Sequence, residues 1–519
     1  MDDPDVGTPA HRIEERDGMI AEWDVPIGMD DGIVLRADVF RPIATDRYPV
    51  IMSYGPYAKG LAFQEGYPSA WEQMVRQFPE VMHGSSGKYQ SWEVVDPERW
   101  VPDQYVCVRV DGRGAGRSPG RLEPWSPRET HDFYECIEWA AMQPWSNGKV
   151  GLNGISYYAM NQWHAASLRP PHLAGVCIWE GAADFYRDVS HHGGICCTFL
   201  DNWYRQQVTS VQHGLGHRGP KSAVTGEIVC GPDTLSDDEL ARLRCDLGQE
   251  VFTRTTWSEF YEQRSAQWDR IDVPLLTAAN WGGQGLHLRG NIEGFMRAAS
   301  TRKWLEVHGR EHWTEFYTDY GVALQTRFFE HFLKGIDNGW DREPPVRLWI
   351  RHVDRFVQRH EWEWPLARTQ WTKLYLDAAD LTLSPEPLRT ESTQSYPGLG
   401  EGITFLLPPG QEDVEITGPL ATKLFVSSET RDAICSSCLG SLRRIIKKSS
   451  FKARSIHTRR LRKAGCGRRI ASSMRACRPS IAHTTAMTRC SCSSRDASMS
   501  STSRSGRHAL SSRPAIAWH

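Results

Sequence analysis

No run of about 18 apolar residues interrupts the 519-residue sequence, so no membrane span is expected. The opening Met1-Asp2-Asp3-Pro4-Asp5 lacks the basic start and apolar stretch of a secretion signal, and the sequence reads as cytoplasmic. Gly112, Gly114 and Gly116 form no Gly-x-x-x-x-Gly-Lys arrangement, which excludes a phosphate loop of that type. The 13 cysteines and the histidines lack metal-ligand spacing, so neither a metal nor a cofactor is expected. The adjacent Cys196-Cys197 then reads as free thiols. Acid is scarce in one place only: residues 433–519 hold 19 Lys and Arg but a single carboxylate, Asp496.

What is there is a globular composition, 40% hydrophobic and 24% charged, with 21 Trp that suit apolar pockets. The net charge of -2 conceals an asymmetry: outside the basic tail, 42 basic residues face 62 acidic ones. A Ser- and Arg-rich tail is commonly a disordered nucleic-acid arm. Here it cuts off an unfinished strand-rich region, so a reading-frame shift near residue 432 is the preferred account. No nucleic-acid or membrane partner is expected, and a homo-oligomer is left open.

Before residue 432 strands alternate with helices. Met29 to Pro42, around Asp31-Gly32, predicts a β-hairpin. A strand is expected from Tyr48, running into the Gly55-Pro56 loop, and another at Tyr105–Val110, then a helix from Glu129 to Met142. Gly148 to Met160 runs from strand through a tight turn into a helix, and Ala174 to Trp179 is the next strand. The alternation is that of an α/β protein with a parallel sheet. Residues 186–271 break it and read as a helical cap, with a capping box at Ser236 and Glu239. Strands at 273–279 and 303–307 restore the core. The expected domains are therefore an α/β core at 20–185 and 272–335, the cap, an incomplete β-sandwich of jelly-roll type at 336–432, and the tail at 433–519.

Gly154-Ile155-Ser156-Tyr157 matches the first part of Gly-x-Ser-x-Gly, the turn that thrusts a nucleophilic serine into the open, with Ala159 closing a small-residue variant. Ser156 is the expected nucleophile, and the core around it is expected to be an α/β-hydrolase core. A base belongs in the loop after the last core strand, where His308 and His312 stand; His312 is preferred because it lies further along the loop. His191, His192 and His287 read as structural or surface histidines. Asp111 and Arg113, bracketing a glycine turn, read as a hydrogen-bonded lock rather than as catalytic groups.

Several phrases together give a family resemblance. They are Asp31-Gly32 with Leu35-Arg36-Ala37-Asp38-Val39, Pro49-Val50 with Pro56-Tyr57, Asp111 with Arg113-Gly114, and Trp145 to Gly151 ahead of the Ser156 turn. The sequence resembles the cocaine-esterase-like (CocE/NonD) and X-Pro dipeptidyl-peptidase-like serine hydrolases over about residues 20–430. The resemblance implies an oxyanion site made by the Tyr57 hydroxyl and the Tyr157 amide. It also implies an Asp in a Trp-x-Asp phrase after the strand at 275–279, but this chain has Asn280-Trp281-Gly282-Gly283-Gln284. Glu180, at the end of the strand after the nucleophile, is the first substitute and Asp184 the second; either also suits a hinge or helix start. Gln284 could orient a histidine only weakly.

The function expected is hydrolysis of a small ester or peptide through a Ser156 acyl-enzyme, esters ranking above X-Pro dipeptides. The alternative is a catalytically impaired hydrolase fold used for binding, which the absent Asp favours. A nucleic-acid-binding hydrolase ranks last.

Overall fold

The computed structural model describes residues 11–428 apart from 284, 353, 398–399, 401, 409 and 411–412. Beyond these it describes 435, 437, 439–440 and short strands at 483–484, 488–490 and 515–517. The chain divides into two compact units, the first holding residues up to Arg351 together with Phe356–His360.

An eleven-stranded sheet organises the first unit. Its strands are β1 (Arg12–Arg16), β2 (Met19–Gly28), β3 (Val34–Arg41), β4 (Tyr48–Gly55), β5 (Val106–Asp111) and β6 (Ser146–Ile155). They continue as β7 (Leu173–Trp179), β8 (Leu275–Asn280), β9 (Lys303–His308), β10 (Val346–Arg351) and β11 (Phe356–Glu361). The spatial order is β1-β2-β3-β5-β4-β6-β7-β8-β9-β10-β11. The first three strands run antiparallel, and from β5 to β10 every pairing is parallel. The expected hairpin is β2–β3, turning through Gly32 at φ +86°.

Five helices matter for the site: α1 (Pro68–Gln77), α2 (Pro127–Ala141), α3 (Tyr157–Ser167), α4 (Leu288–Arg297) and α5 (Asp319–Phe329). Helix α2 begins where Ser126 accepts a hydrogen bond from the Glu129 amide at 3.2 Å, and it buries Phe133, Ile137 and Ala140. On the opposite face Phe328 and Phe329 of α5 meet the glycines of β6 and β7. A Cβ at Gly151 would stand 2.5 Å from the Phe329 ring. Each such buried ring is worth about 1.5–3 kcal/mol of apolar transfer. Strands covered on both faces read as continuous apolar runs.

Between β7 and β8 the chain leaves the sheet for the expected insertion. It contains short helices, among them Asp237–Arg242, whose start carries the expected capping box of Ser236 and Glu239. The boundary expected at residue 336 differs from the sheet. Leu305 pairs with Val346 and Val307 with Leu348, so β10 and β11 extend the core. Period-two alternation shows that Val346–Ile350 is a strand, but not which sheet it joins.

Within the second unit β12 (Tyr375–Asp377) and β13 (Thr382–Ser384) form an antiparallel pair, and Leu420–Lys423 is a further strand. The shifted tail expected at 433–519 lies outside the described residues, save for the few positions named above. Among the described residues no helix is long and apolar enough to cross a membrane.

Candidate active site

Ser156 sits between β6 and α3 at φ +59°, ψ −110°, a conformation that a residue with a Cβ adopts only under strain. Its neighbours enforce it. The Ser156 amide donates to the Trp179 carbonyl at 3.0 Å, and the Ile155 amide donates to the Glu93 carbonyl at 2.9 Å. Gly154 is required for close approach: a Cβ there would lie 2.5 Å from Tyr158 Cβ and 3.2 Å from the Glu93 oxygen. The turn has the strained strand-to-helix geometry that the Gly-x-Ser-x-Gly pattern calls for.

The histidine facing Ser156 is His287, in the loop that leads into α4. Its Nε2 lies 3.4 Å from Ser156 Oγ. The ring is buried, and burial followed by the nearby His312 pushes its pKa well below the ordinary value, so it stands neutral. His287 Nδ1 makes no hydrogen bond among the described residues. His312 follows at 5.3 Å between ring centroids, and its Nε2 lies 2.7 Å from Glu93 Oε1. Glu93 is buried and holds φ +64° in the long excursion between β4 and β5.

Glu180 is placed at the end of β7, fully buried, as expected, but its histidine is His308 rather than His312. His308 Nε2 stands 3.2 Å from Glu180 Oε1 without the alignment of a hydrogen bond, so the contact is that of an ion pair. Burial opposes the charge on His308, yet Glu180 raises its pKa overall. Asn280 Nδ2 donates to the same carboxylate at 2.9 Å. The reason is positional: β7, β8 and β9 are neighbours, so their terminal residues meet in a row, while His312 is carried on to the excursion. A Cβ at Gly283 would lie 3.0 Å from Glu180 Oε2, so Glu180 fills the space a side chain at 283 would take.

Asp184 accepts from the Arg187 amide at 2.8 Å and pairs with the Arg187 guanidinium at 2.7 Å, the helix-start role weighed for it. The expected trio of Ser156, His312 and Glu180 is therefore distributed over three contacts, Ser156–His287, His312–Glu93 and His308–Glu180. Gln284 lies outside the described residues.

Tyr57 follows β4, and Tyr157 opens α3 directly after Ser156. Their rings are 5.9 Å apart. The Tyr57 hydroxyl accepts a hydrogen bond from Trp203 Nε1 at 2.9 Å, Trp203 belonging to the insertion. Trp125, Tyr157 and Trp203 stack, with Trp125 4.4 Å from Tyr157 and 5.2 Å from Trp203. The Tyr157 hydroxyl donates to Glu129 at 2.7 Å, and burial pushes the Glu129 carboxyl up to about 8.

Comparison with known proteins decides the lineage. Residues 31–314 match the X-Pro dipeptidyl-peptidase (S15 family) profile, and residues 338–464 match the X-Pro dipeptidyl-peptidase C-terminal non-catalytic domain. The chain belongs to the X-Pro dipeptidyl-peptidase (S15) family. By type this is the fold of serine hydrolases of the CocE/NonD or X-Pro peptidase kind. A cocaine esterase from Rhodococcus sp. is 24% identical over 478 residues, covering 79% of this chain and 78% of the relative. A CocE/NonD family hydrolase from Staphylococcus aureus has a solved structure that superposes with a TM-score of 0.63 at 35% identity. That match covers 74% of this chain, which spans 63% of the S. aureus chain. An aminopeptidase from a Thaumarchaeota archaeon shares the fold at 16% identity, with a TM-score of 0.53 and coverage of 76% and 66%.

Within this S15 chain, the phrases that carried the resemblance build the scaffold. Asp111 accepts from the Lys59 amide at 2.6 Å and the Arg117 amide at 2.8 Å, closing the glycine turn after β5. Arg113 grips Asp132 of α2 with two hydrogen bonds of 2.7 and 2.8 Å. Both therefore lock the turn, as their spacing suggested. Asp30, His131 and Glu135 cluster closely enough to hold a cation. Arg128 already sits among them, 2.6 Å from Asp30 and 3.2 Å from Glu135, supplying the positive charge itself.

Proposed function

We propose that this S15-family chain hydrolyses esters, and amides less readily, through an acyl-enzyme on Ser156. The observation that carries the reading is the strained Ser156 with a neutral histidine nitrogen 3.4 Å from its Oγ. Ser156 Oγ attacks the substrate carbonyl while its proton passes to His287 Nε2. The tetrahedral oxyanion is met by the Tyr157 amide and the Tyr57 hydroxyl, donors each worth roughly 10²–10³ in rate. Collapse breaks the bond to the leaving group, which takes the proton from His287. Water then gives a proton to His287, attacks the acyl carbon, and Ser156 recovers its hydrogen. The stacked wall of Trp125, Tyr157 and Trp203 supports a bulky apolar acyl or leaving group.

A second assignment of the base has its own observation. His312 follows the last parallel core strand but one and holds a carboxylate partner, Glu93, at 2.7 Å. In that version Glu93 orients His312 in place of the absent Asp. The two are separated by alanine substitution at each histidine. If His287 is the base, His287→Ala lowers kcat on a p-nitrophenyl ester by about 10³-fold or more while His312→Ala costs far less. The reverse order assigns the base to His312. A fluorophosphonate probe tests the whole reading: it is expected to label the protein and to lose that labelling in Ser156→Ala. Labelling that survives the substitution refutes the nucleophile, and no labelling of the folded protein favours a binding role.

A further inference from the structure

We propose that Trp203, supplied by the insertion, is a positioning residue that aims the Tyr57 hydroxyl at the oxyanion. The inference rests on the reading of Tyr57 as an oxyanion donor and adds what makes it one. A phenol has one hydrogen and can rotate it; only a fixed direction stabilises charge that appears during the reaction. Indole has a donor and no acceptor, so the 2.9 Å contact can form one way only, with Trp203 Nε1–H given to the phenol oxygen. The Tyr57 hydrogen must then point elsewhere, and no described residue accepts it.

Trp203 is itself held firmly. It closes the short helix Phe199–Trp203, is buried, and stacks on Trp125 and Tyr157 at interplanar angles of 22° and 23°. Tyr57 is equally buried and meets Trp203 edge to face at 87°. Two rigid rings thus fix the phenol oxygen on one side and leave its hydrogen for the other. Burial drives the Tyr57 pKa far up, so the group remains a donor, and the indole contact works against that rise, which makes the phenol a stronger donor than burial alone would. The Tyr57 ring also meets the Tyr157 ring edge to face, at 67° and 5.9 Å between centroids.

The test is a double-mutant cycle read by kcat and KM on a p-nitrophenyl ester, using the full chain. Tyr57→Phe is expected to lower kcat by roughly 10²-fold. Trp203→Phe removes the donor while keeping an aromatic ring, and is expected to lower kcat about five- to tenfold, the worth of one neutral hydrogen bond. In the Tyr57→Phe background the same change is expected to cost nothing further in kcat. Should Trp203→Phe fold poorly, replacement of Trp203 by benzothienylalanine deletes the N–H in a ring of the same shape. An equal loss in both backgrounds, or a loss confined to KM, overturns the positioning role and leaves Trp203 as packing. If Tyr57→Phe leaves kcat unchanged, the oxyanion reading of Tyr57 fails first, and the inference fails with it.

Discussion

At the residue scale, protonation states set what the site can do. In the proposed mechanism His287 has to be neutral to take the Ser156 proton, and its pKa is pushed well below the usual histidine value, first by burial and then by His312. A base whose pKa is lowered stays neutral to lower pH. The acid limb of kcat/KM is therefore expected below pH 6.5, the ordinary histidine value. A limb above neutrality would remove His287 as base. Glu129 shows the opposite sign. In the unfolded chain it ionises near its ordinary 4.5, but in the fold burial holds it protonated up to about 8. Its contribution to stability is full below 4.5 and lost as pH rises through that window. Thermal melts should then show Glu129→Gln gaining on the wild type between about pH 5 and 8; a constant gap would contradict it.

Tyr57 came only from the family resemblance, whereas the sequence singled out Ser156 because an apolar run stops there at a short, glycine-marked turn. Glu180 was legible for the same reason, although its partner was not. His287 was passed over because a lone histidine in a glycine-rich loop has no period and no motif. Glu93 was further out of reach, in a polar and aromatic excursion where nothing in the order of residues shows that its carbonyl binds Ile155 and its carboxylate binds His312. A signal did exist in Gly283, since a glycine where the resemblance implies a carboxylate left room that Glu180 occupies.

At the scale of elements, the Ser156 turn depends on three partners at once: the end of β7, the excursion that carries Glu93, and the first turn of α3. Gly154 is where they converge. Gly154→Ala drives a methyl toward Tyr158 Cβ and the Glu93 carbonyl, and neither can yield without moving Ser156 or the His312 carboxylate partner. A displacement of about 1 Å costs on the order of 100-fold in turnover, so steady-state rates should fall by at least that much even if the variant folds. Near-wild-type turnover would show that the excursion moves freely relative to the nucleophile. Helix α2 was predicted from its apolar face, at Glu129–Met142, and begins two residues earlier, where Ser126 caps it and Pro127 takes the first position. The insertion was legible as an interruption, but only its capping box at Ser236 could be read in detail, because its other helices are too short to show a face.

At the scale of the molecule, the eleven-stranded sheet does not stop where the sequence changes period. Trp281 Nε1 donates to the Trp349 carbonyl of β10 at 2.8 Å, and Trp349 Nε1 donates to Glu306 of β9 at 2.7 Å. The strand beyond the expected boundary thus braces the loop leading to His287. A chain ended at residue 335 leaves β9 as an open parallel edge, and is expected to aggregate. One ended at 361 keeps the sheet and should be recovered with a higher soluble yield; equal yields would show that β10 and β11 are dispensable. Both family matches together run to residue 464, past position 432 where composition changes.

The contact between Trp203 and Tyr57 has an evolutionary consequence. Insertions in such folds are the parts most readily exchanged, since they alter the pocket and leave the sheet alone. Here the exchangeable part reaches Tyr57, so under the proposed oxyanion role substrate range and catalytic power are inherited together. A chimera given a foreign insertion would need an indole, or another pure donor, at the same point in space to keep its turnover while acquiring a new pocket.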